Sequence, residues 1–382
     1  MKIFFRRIHL YLSLAAGLVI MVTCLTGAIL VFETELQHLF HSERYYVEAT
    51  NNRLPLQKLV TETRKELGKA RINGIKVYTD PERSIEISYA EGKGDRRIAF
   101  VDPYSGKLLE KYNHRESFFY WVMDVHRWML GGDTGKLVVG ICTLIFLFIL
   151  ITGFILWWPK TNNILRQRLK LKLDGGWKRV NHDLHIVLGF YSCIFLFILA
   201  FTGLAWSFEW FNKGIYAVTG SKMKPANPPT IALPEIKDTV SYASGTNMIS
   251  YDNALELVAN VSPAAVFYNI AAPKDSISPY TVSVLKINAV HETASDTYYV
   301  DPYQPRIAGT MKWEERNKGQ RVRATFKPVH VASIYGLPSK LIGFIVCLFG
   351  TSFPVTGIIM WINRIRKKPV RRKAGAMAGM EA

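Results

Sequence analysis

His126-Arg127-Trp128-Met129-Leu130-Gly131-Gly132-Asp133-Thr134-Gly135-Lys136-Leu137 opens a segment that turns wholly apolar and closes on Thr152-Gly153-Phe154-Ile155-Leu156-Trp157-Trp158-Pro159. Its landmarks return later in the chain. Counted from His126, Gly132 stands at +6, Lys136 at +10, Leu137 at +11, Thr152-Gly153 at +26 and +27, and Trp157 at +31; counted from His330, the same offsets give Gly336, Lys340, Leu341, Thr356-Gly357 and Trp361. A different set precedes each of these segments. His9 is followed at +17 and +18 by Thr26-Gly27 and at +24 by Glu33, and His185 at the same offsets by Thr202-Gly203 and Glu209. Identities at fixed spacing, twice over, mark an internal tandem repeat.

The repeat coincides with four apolar runs, at about 10–32, 136–158, 186–208 and 340–362. Each has the roughly 20 residues needed to cross about 30 Å of hydrocarbon. The first follows a basic start and so invites comparison with a secretory signal. It is too long for a signal h-region. A retained membrane helix is expected.

The chain has 382 residues, is 49% hydrophobic and carries a formal charge of +18, with mean hydropathy near zero, at +0.08. Apolar and basic residues must therefore be segregated. The excess of positive charge gathers in three blocks: Lys2, Arg6 and Arg7; Lys160, Arg166, Arg168, Lys170, Lys172, Lys178 and Arg179; Arg364, Arg366, Lys367, Lys368, Arg371, Arg372 and Lys373. Four spans put all three on one side, which the positive-inside rule makes cytoplasmic, with both termini in. The charge thus reports topology, and nucleic-acid binding is not expected.

The polar stretches at about 34–125 and 210–329 then lie outside. Phe100-Val101-Asp102-Pro103-Tyr104 in the first is echoed by Tyr299-Val300-Asp301-Pro302-Tyr303 in the second. Alternating stretches precede them, Ile85-Glu86-Ile87-Ser88-Tyr89 and Tyr280-Thr281-Val282-Ser283-Val284, and read as strands leading into an Asp-Pro turn. Leu56 to Leu67 and Asp252 to Val261 have helical spacing. The expectation is two small α+β modules on a four-helix membrane bundle, with the prolines around 227–230 as the most linker-like stretch. Cys24, Cys142, Cys193 and Cys347 all fall within apolar spans, with no CxxC pair to suggest zinc, an iron–sulfur cluster or thiol exchange.

Each span carries one repeat histidine near a membrane face, where a polar ring needs a partner. Helix direction sorts them: His9 and His185 at the cytoplasmic face, His126 and His330 at the external face. If the chain were helical from His126 to Thr152 it would cover about 39 Å, a whole bilayer. Two opposed imidazoles in apolar surroundings suit an iron porphyrin, which needs axial nitrogens and a flat slot. Zinc would want further ligands, and copper is the other metal this donor set admits. Ala15, Ala16, Gly17 and Gly189 could make room for a macrocycle or serve close helix packing. His182 rivals His185, three residues away on one helical face. His38 and His41 could touch a metal substrate or sit in a solvated turn; His114 and His291 carry no readable signal.

Arg7-Ile8-His9-Leu10-Tyr11-Leu12, Val125-His126-Arg127-Trp128-Met129-Leu130, Thr152-Gly153-Phe154-Ile155-Leu156-Trp157-Trp158-Pro159, Asp183-Leu184-His185 and the two Val-Asp-Pro-Tyr turns together resemble the PepSY-associated transmembrane family, over about residues 1–365. That family comprises bacterial inner-membrane proteins with PepSY-like external modules and includes ferrisiderophore reductases of the FoxB type. The resemblance implies a first span to residue 33, a periplasmic module at 34–125, a face helix and second span at 126–160, a basic loop at 161–181, a third span at 182–209, a second module at 210–329, a face helix and fourth span at 330–363, and a basic tail at 364–382. It also implies two b-type haems as cofactors, with axial ligands His9 and His185 for one and His126 and His330 for the other. The fourth span departs from the pattern, reading His330-Val331-Ala332 where the second reads His126-Arg127-Trp128.

The activity so implied is that of a haem-dependent transmembrane ferric-chelate reductase. Electrons would pass from a cytoplasmic or quinol donor to a ferric siderophore in the periplasm. Trp128, Trp157, Trp158 and Trp206 could line the route or anchor the interface. No GxGxxG follows a strand, so no nicotinamide or flavin site is expected. The alternative is a non-redox PepSY-domain sensor, regulator or permease accessory. The spans carry no mid-bilayer Asp, Glu, Lys or Arg, which counts against transport and leaves the sensor open.

Overall fold

The computed structural model describes residues 1–92, 95–223, 248–275 and 277–366. The proline-rich stretch around 227–230 and the basic tail from 367 lie outside the described residues.

Among the described residues, four helices are long and apolar enough to cross a membrane: Lys2–Val31, Gly132–Trp157, Trp177–Ser207 and Leu337–Ile365. Along the chain, α1 is Lys2–Val31, α2 Glu33–Phe40, α3 Ser42–Tyr45, α4 Leu56–Leu67, α5 Phe118–Trp128, α6 Gly132–Trp157, α7 Asn162–Arg168, α8 Trp177–Asp183, α9 Gly189–Ser207, α10 Glu209–Val218, α11 Tyr251–Val261, α12 Lys318–His330 and α13 Leu337–Ile365. A π-turn, Leu184–Leu188, joins α8 to α9. The shortest of the unbroken spans, α6, has 26 residues and at 1.5 Å per residue covers about 39 Å. The four long helices close a ring in the order α1, α6, α9, α13. Ala16, Ile20, Cys24, Ile149, Leu150, Leu196 and Val346 fill its centre, while Leu18, Leu25, Phe148 and Ile194 are exposed on the outside. An apolar rim around an apolar centre is what a lipid solvent requires.

His126 and the second span lie on separate helices. Trp128 ends α5, and α6 begins at Gly132. Between them Met129 and Leu130 adopt left-handed φ of 47° and 59°, and Gly135 lies against the Trp128 carbonyl so closely that no Cβ fits there. His126 is therefore carried by its own short helix.

The two polar stretches contribute strands β1 Arg71–Tyr78, β2 Ile85–Ala90, β3 Arg97–Val101 and β4 Leu108–Tyr112, then β5 Ala265–Ala271, β6 Tyr280–Lys286, β7 Asp296–Val300 and β8 Ile307–Met311. They do not stay as two separate sheets. One antiparallel sheet runs β4-β3-β2-β1-β5-β6-β7-β8, with Gly74 opposite Ala271 and Tyr78 opposite Phe267 at the seam. A Cβ on Gly74 would sit 2.5 Å from the Ile270 carbonyl oxygen, so the seam's close backbone approach needs glycine. Inward residues alternate along the strands, and Ile75, Ile87, Tyr89, Ile270, Val282 and Val284 pack against Leu59 and Val60 of α4 and Ala254 and Val258 of α11. Both Asp-Pro turns are held by the aspartate: Asp102 Oδ1 accepts the Tyr104 amide at 2.9 Å and Asp301 Oδ1 the Tyr303 amide at 2.9 Å.

Candidate functional site

The fold places the four repeat histidines in two pairs. His126 lies in the last turn of α5 and His330 is the last residue of α12, both at the end of the bundle that meets the sheet. His9 lies within α1, not at its start, and His185 lies in the π-turn; both are at the opposite end, beside the α6–α8 loop. A lone π-turn inside a helix commonly marks a functional position.

Each ring is seated in the same way. Nδ1 of His9 is 3.0 Å from Thr152 Oγ1 and 3.1 Å from the Ile149 carbonyl. Nδ1 of His126 is 3.0 Å from Thr26 Oγ1. Nδ1 of His185 is 2.8 Å from Thr356 Oγ1, and Nδ1 of His330 is 3.2 Å from Thr202 Oγ1 and 2.9 Å from the Leu199 carbonyl. The residue after each threonine is glycine, and its face lies against the ring. A Cβ added at Gly153, Gly27, Gly203 or Gly357 would be 3.2, 3.3, 3.1 or 3.4 Å from Cε1 of His9, His126, His330 or His185.

The threonines fix the tautomer. Each donates its own proton down its helix: Thr26 to Val22 at 2.7 Å, Thr152 to Phe148 at 2.9 Å, Thr202 to Ile198 at 2.8 Å and Thr356 to Ser352 at 3.1 Å. A hydroxyl has one proton to give, so the oxygen accepts from the imidazole. The network thereby assigns the ring proton to Nδ1 and leaves Nε2 as a lone pair without a hydrogen-bond partner among the described residues. Metal-binding histidines are held in this way, the second nitrogen donating to an oxygen that orients the ring. Burial, reinforced by the nearby His330, pushes His126 down to about 4, so the ring is neutral near pH 7.

The pairings are reciprocal. Histidine from α1 meets Thr-Gly of α6 while His126, just before α6, meets Thr-Gly of α1; His185 and His330 do the same between α13 and α9. The halves then meet through the rings themselves. His126 and His330 have centroids 6.2 Å apart. That is too long for a direct hydrogen bond and close to the ~6 Å expected when one metal atom lies about 2 Å from a nitrogen of each ring. His9 and His185 lie within electrostatic reach of one another.

A cavity of about 270 Å³ surrounds the sheet-end pair, lined by apolar residues including Leu30, Val139, Phe146 and Leu196, by Trp206, and by both histidines. One water occupies about 30 Å³ of liquid, so the space admits an organic group. Among the described residues no cluster of three or more His, Cys, Asp or Glu is placed to hold a metal ion. The donors are paired imidazoles with apolar walls, which fits a b-type haem, whose remaining iron ligands come with the macrocycle.

The other sequence candidates go elsewhere. His182 Nδ1 faces Asp183 at 3.1 Å and its side chain is 47% exposed, so His185, not His182, is in the Thr-Gly seat. His38 stacks on Tyr45 with centroids 4.1 Å apart, and His41, past the end of α2, is exposed beside Glu43. Gly17 packs on Pro354 as a helix–helix contact, and Gly189 has open space before it. Trp206 lies 5.2 Å from the His330 ring. Trp157 is buried and stacks on Phe190 at 3.7 Å, whereas Trp158 is exposed. Thr26-Gly27, Thr152-Gly153, Thr202-Gly203 and Thr356-Gly357 recur at fixed offsets from the histidines because they are the seats of histidines on other helices, a role that spacing along one chain does not show. His291, without a sequence signal, lines a separate cleft with Trp313, Lys318 and Arg321.

Four membrane-length helices whose Thr-Gly pairs seat four histidines, joined to an eight-stranded antiparallel sheet, define a helical membrane protein with an internal cavity beside one histidine pair. The family described as the PepSY-associated TM region matches residues 6–364, nearly the whole chain, and the protein belongs to it. No curated protein matches the chain.

Proposed function

We propose that the protein is a transmembrane ferric-chelate reductase that holds two b-type haems, one between His9 and His185 and one between His126 and His330. The observation that carries this reading is the fourfold Thr-Gly seat, which presents the Nε2 lone pair of every repeat histidine and brings His126 and His330 to a separation that one metal atom spans. When bound, haem supplies one-electron chemistry between ferric and ferrous iron.

The protein's own part is placement. Thr152, Thr26, Thr356 and Thr202 hold the rings in one tautomer, the glycines let the Cε1 edge of each ring come close to the helix, and Leu196, Val139 and Phe146 give the sheet-end pair apolar walls. We read the two halves as copies of one unit, each a span, a PepSY-like module and a second span. The basic residues Arg6, Arg7, Arg166 and Arg168 at the loop end support reading that end as cytoplasmic, with the membrane a bacterial inner membrane. Electrons then enter there from a cytoplasmic or quinol donor and leave on the sheet side to a ferric siderophore. Adding one electron turns ferric iron to ferrous and weakens its hold on oxygen-rich chelators, which releases the metal.

Proteoliposomes holding a reductant inside, with a ferric chelate and a ferrous-iron dye outside, test this. Ferrous iron is expected outside only with the haem-loaded protein, and His126→Ala is expected to abolish it. No ferrous iron with the loaded wild type contradicts the reading.

A further inference from the structure

The cavity around His126 and His330 has three cations in its lining, Arg127, Lys136 and Lys327, and no aspartate or glutamate. They come from three elements: Arg127 follows His126 on α5, Lys136 lies in the first turns of α6, and Lys327 precedes His330 by one turn of α12. Among the described residues none has a carboxylate within 4 Å. Arg127 lies over the Trp128 ring at 4.3 Å and within electrostatic reach of both His126 and His330. Glu35 is taken by Lys340 at 2.6 Å, and Glu33 reaches Lys327 only through space. Cations beside an apolar wall at the edge of a membrane are costly without a counter-charge, and long side chains that merely sought water would not converge on one opening.

We infer that Arg127, Lys136 and Lys327 bind the carboxylate side chains of the macrocycle seated between His126 and His330, so that this site selects an acidic porphyrin over its neutral ester. The inference rests on the haem reading above. Charge-assisted hydrogen bonds from guanidinium and ammonium to carboxylate are the strong ones, and here they fix which edge of the ring faces the sheet. Lys327, the most exposed of the three, closes the mouth over that edge.

The test uses the full-length protein in detergent, prepared without haem and titrated with haemin and with haemin dimethyl ester while Soret absorbance is followed. The component lost in His126→Ala is taken as the sheet-end site. There, haemin is expected to bind at least about tenfold more tightly than the ester. Arg127→Gln/Lys136→Gln/Lys327→Gln is expected to lose that preference while binding the ester as the wild type does, which shows that the seat is intact; Arg127→Lys is expected to keep it. Equal affinity for the two in the wild type, or a preference that survives in the triple variant, overturns the inference. If the wild type binds neither, the haem reading falls and this inference with it, an outcome distinct from binding both equally.

Discussion

Thr356 Oγ1 lies 2.8 Å from Nδ1 of His185 while its own proton goes to the Ser352 carbonyl at 3.1 Å. One hydroxyl thus decides which nitrogen of a distant ring is free. Thr356→Val keeps the volume and removes the acceptor, whereas Thr356→Ser keeps it. Loss of an orienting partner of this kind costs a metal site about 10–100-fold in affinity. Haem titration of the valine variant is expected to show a loss in that range at the loop-end site, with the serine variant near wild type. Unchanged affinity in the valine variant would show that the threonine does not set the tautomer.

Gly203 offers a second handle. A Cβ there would stand 3.1 Å from Cε1 of His330, so Gly203→Ala must tilt the ring. The expected outcome is weaker haem binding at the sheet-end site and a shifted low-spin signal in the ferric electron paramagnetic resonance spectrum. Gly214→Ala, in open space on α10, is the control and is expected to change neither.

Much of this was legible in the sequence, and what was not has physical reasons. The four spans and the four histidines stood out because membrane thickness sets a length and the repeat sets a spacing. The role of Thr26, Thr152, Thr202 and Thr356 did not, because each threonine serves a histidine on another helix, and no offset along the chain shows a cross-helix contact. The single sheet was hidden for the same reason. Gly74 and Ala271 pair across nearly two hundred residues, whereas alternation within each strand shows only which face is buried. The point at which the face helix gives way to the second span is not legible, because His126 to Leu137 has no proline and the left-handed residues are Met129 and Leu130, types that rarely signal a turn. His182 and His185 share one helical face in sequence, and only the π-turn separates their surroundings.

Lys286 and Asp296 form an ion pair at 2.7 Å at the end of the sheet, with the aspartate 2% and the lysine 34% exposed. Lys286→Met leaves that carboxylate buried without its cation. The expected loss is about 2 kcal/mol, less than the ~3–5 of a fully buried pair because the lysine is partly solvated. Thermal unfolding of the sheet signal in detergent reads it. The hydrogen bond to Asp296 holds Lys286 above its ordinary 10.5, so the pair's contribution is whole below pH 10.5 and is lost as pH rises through the folded value. The difference between wild type and variant is therefore expected to be constant from pH 7 to 9 and to shrink only in stronger alkali.

The seam between the halves has a cap of its own. Asp252, in the first turn of α11, accepts the Leu56 and Gln57 amides at 2.6 and 2.9 Å and so caps α4 from the other half of the chain. Asp252→Ala is expected to cost about 0.5–2 kcal/mol, with faster hydrogen exchange at the first turn of α4. Unchanged exchange there would show that the cap contributes nothing.

Whether the four histidines hold haem in two places is read from a dithionite-reduced minus oxidised absorbance spectrum of the detergent-purified protein, expressed with haem supply. The expected result is Soret and α-bands of b-type haem in the wild type, with one component lost in His126→Ala or His330→Ala and the other in His9→Ala or His185→Ala. Absence of both bands from the wild type, or loss of both haems from every single substitution, would contradict it.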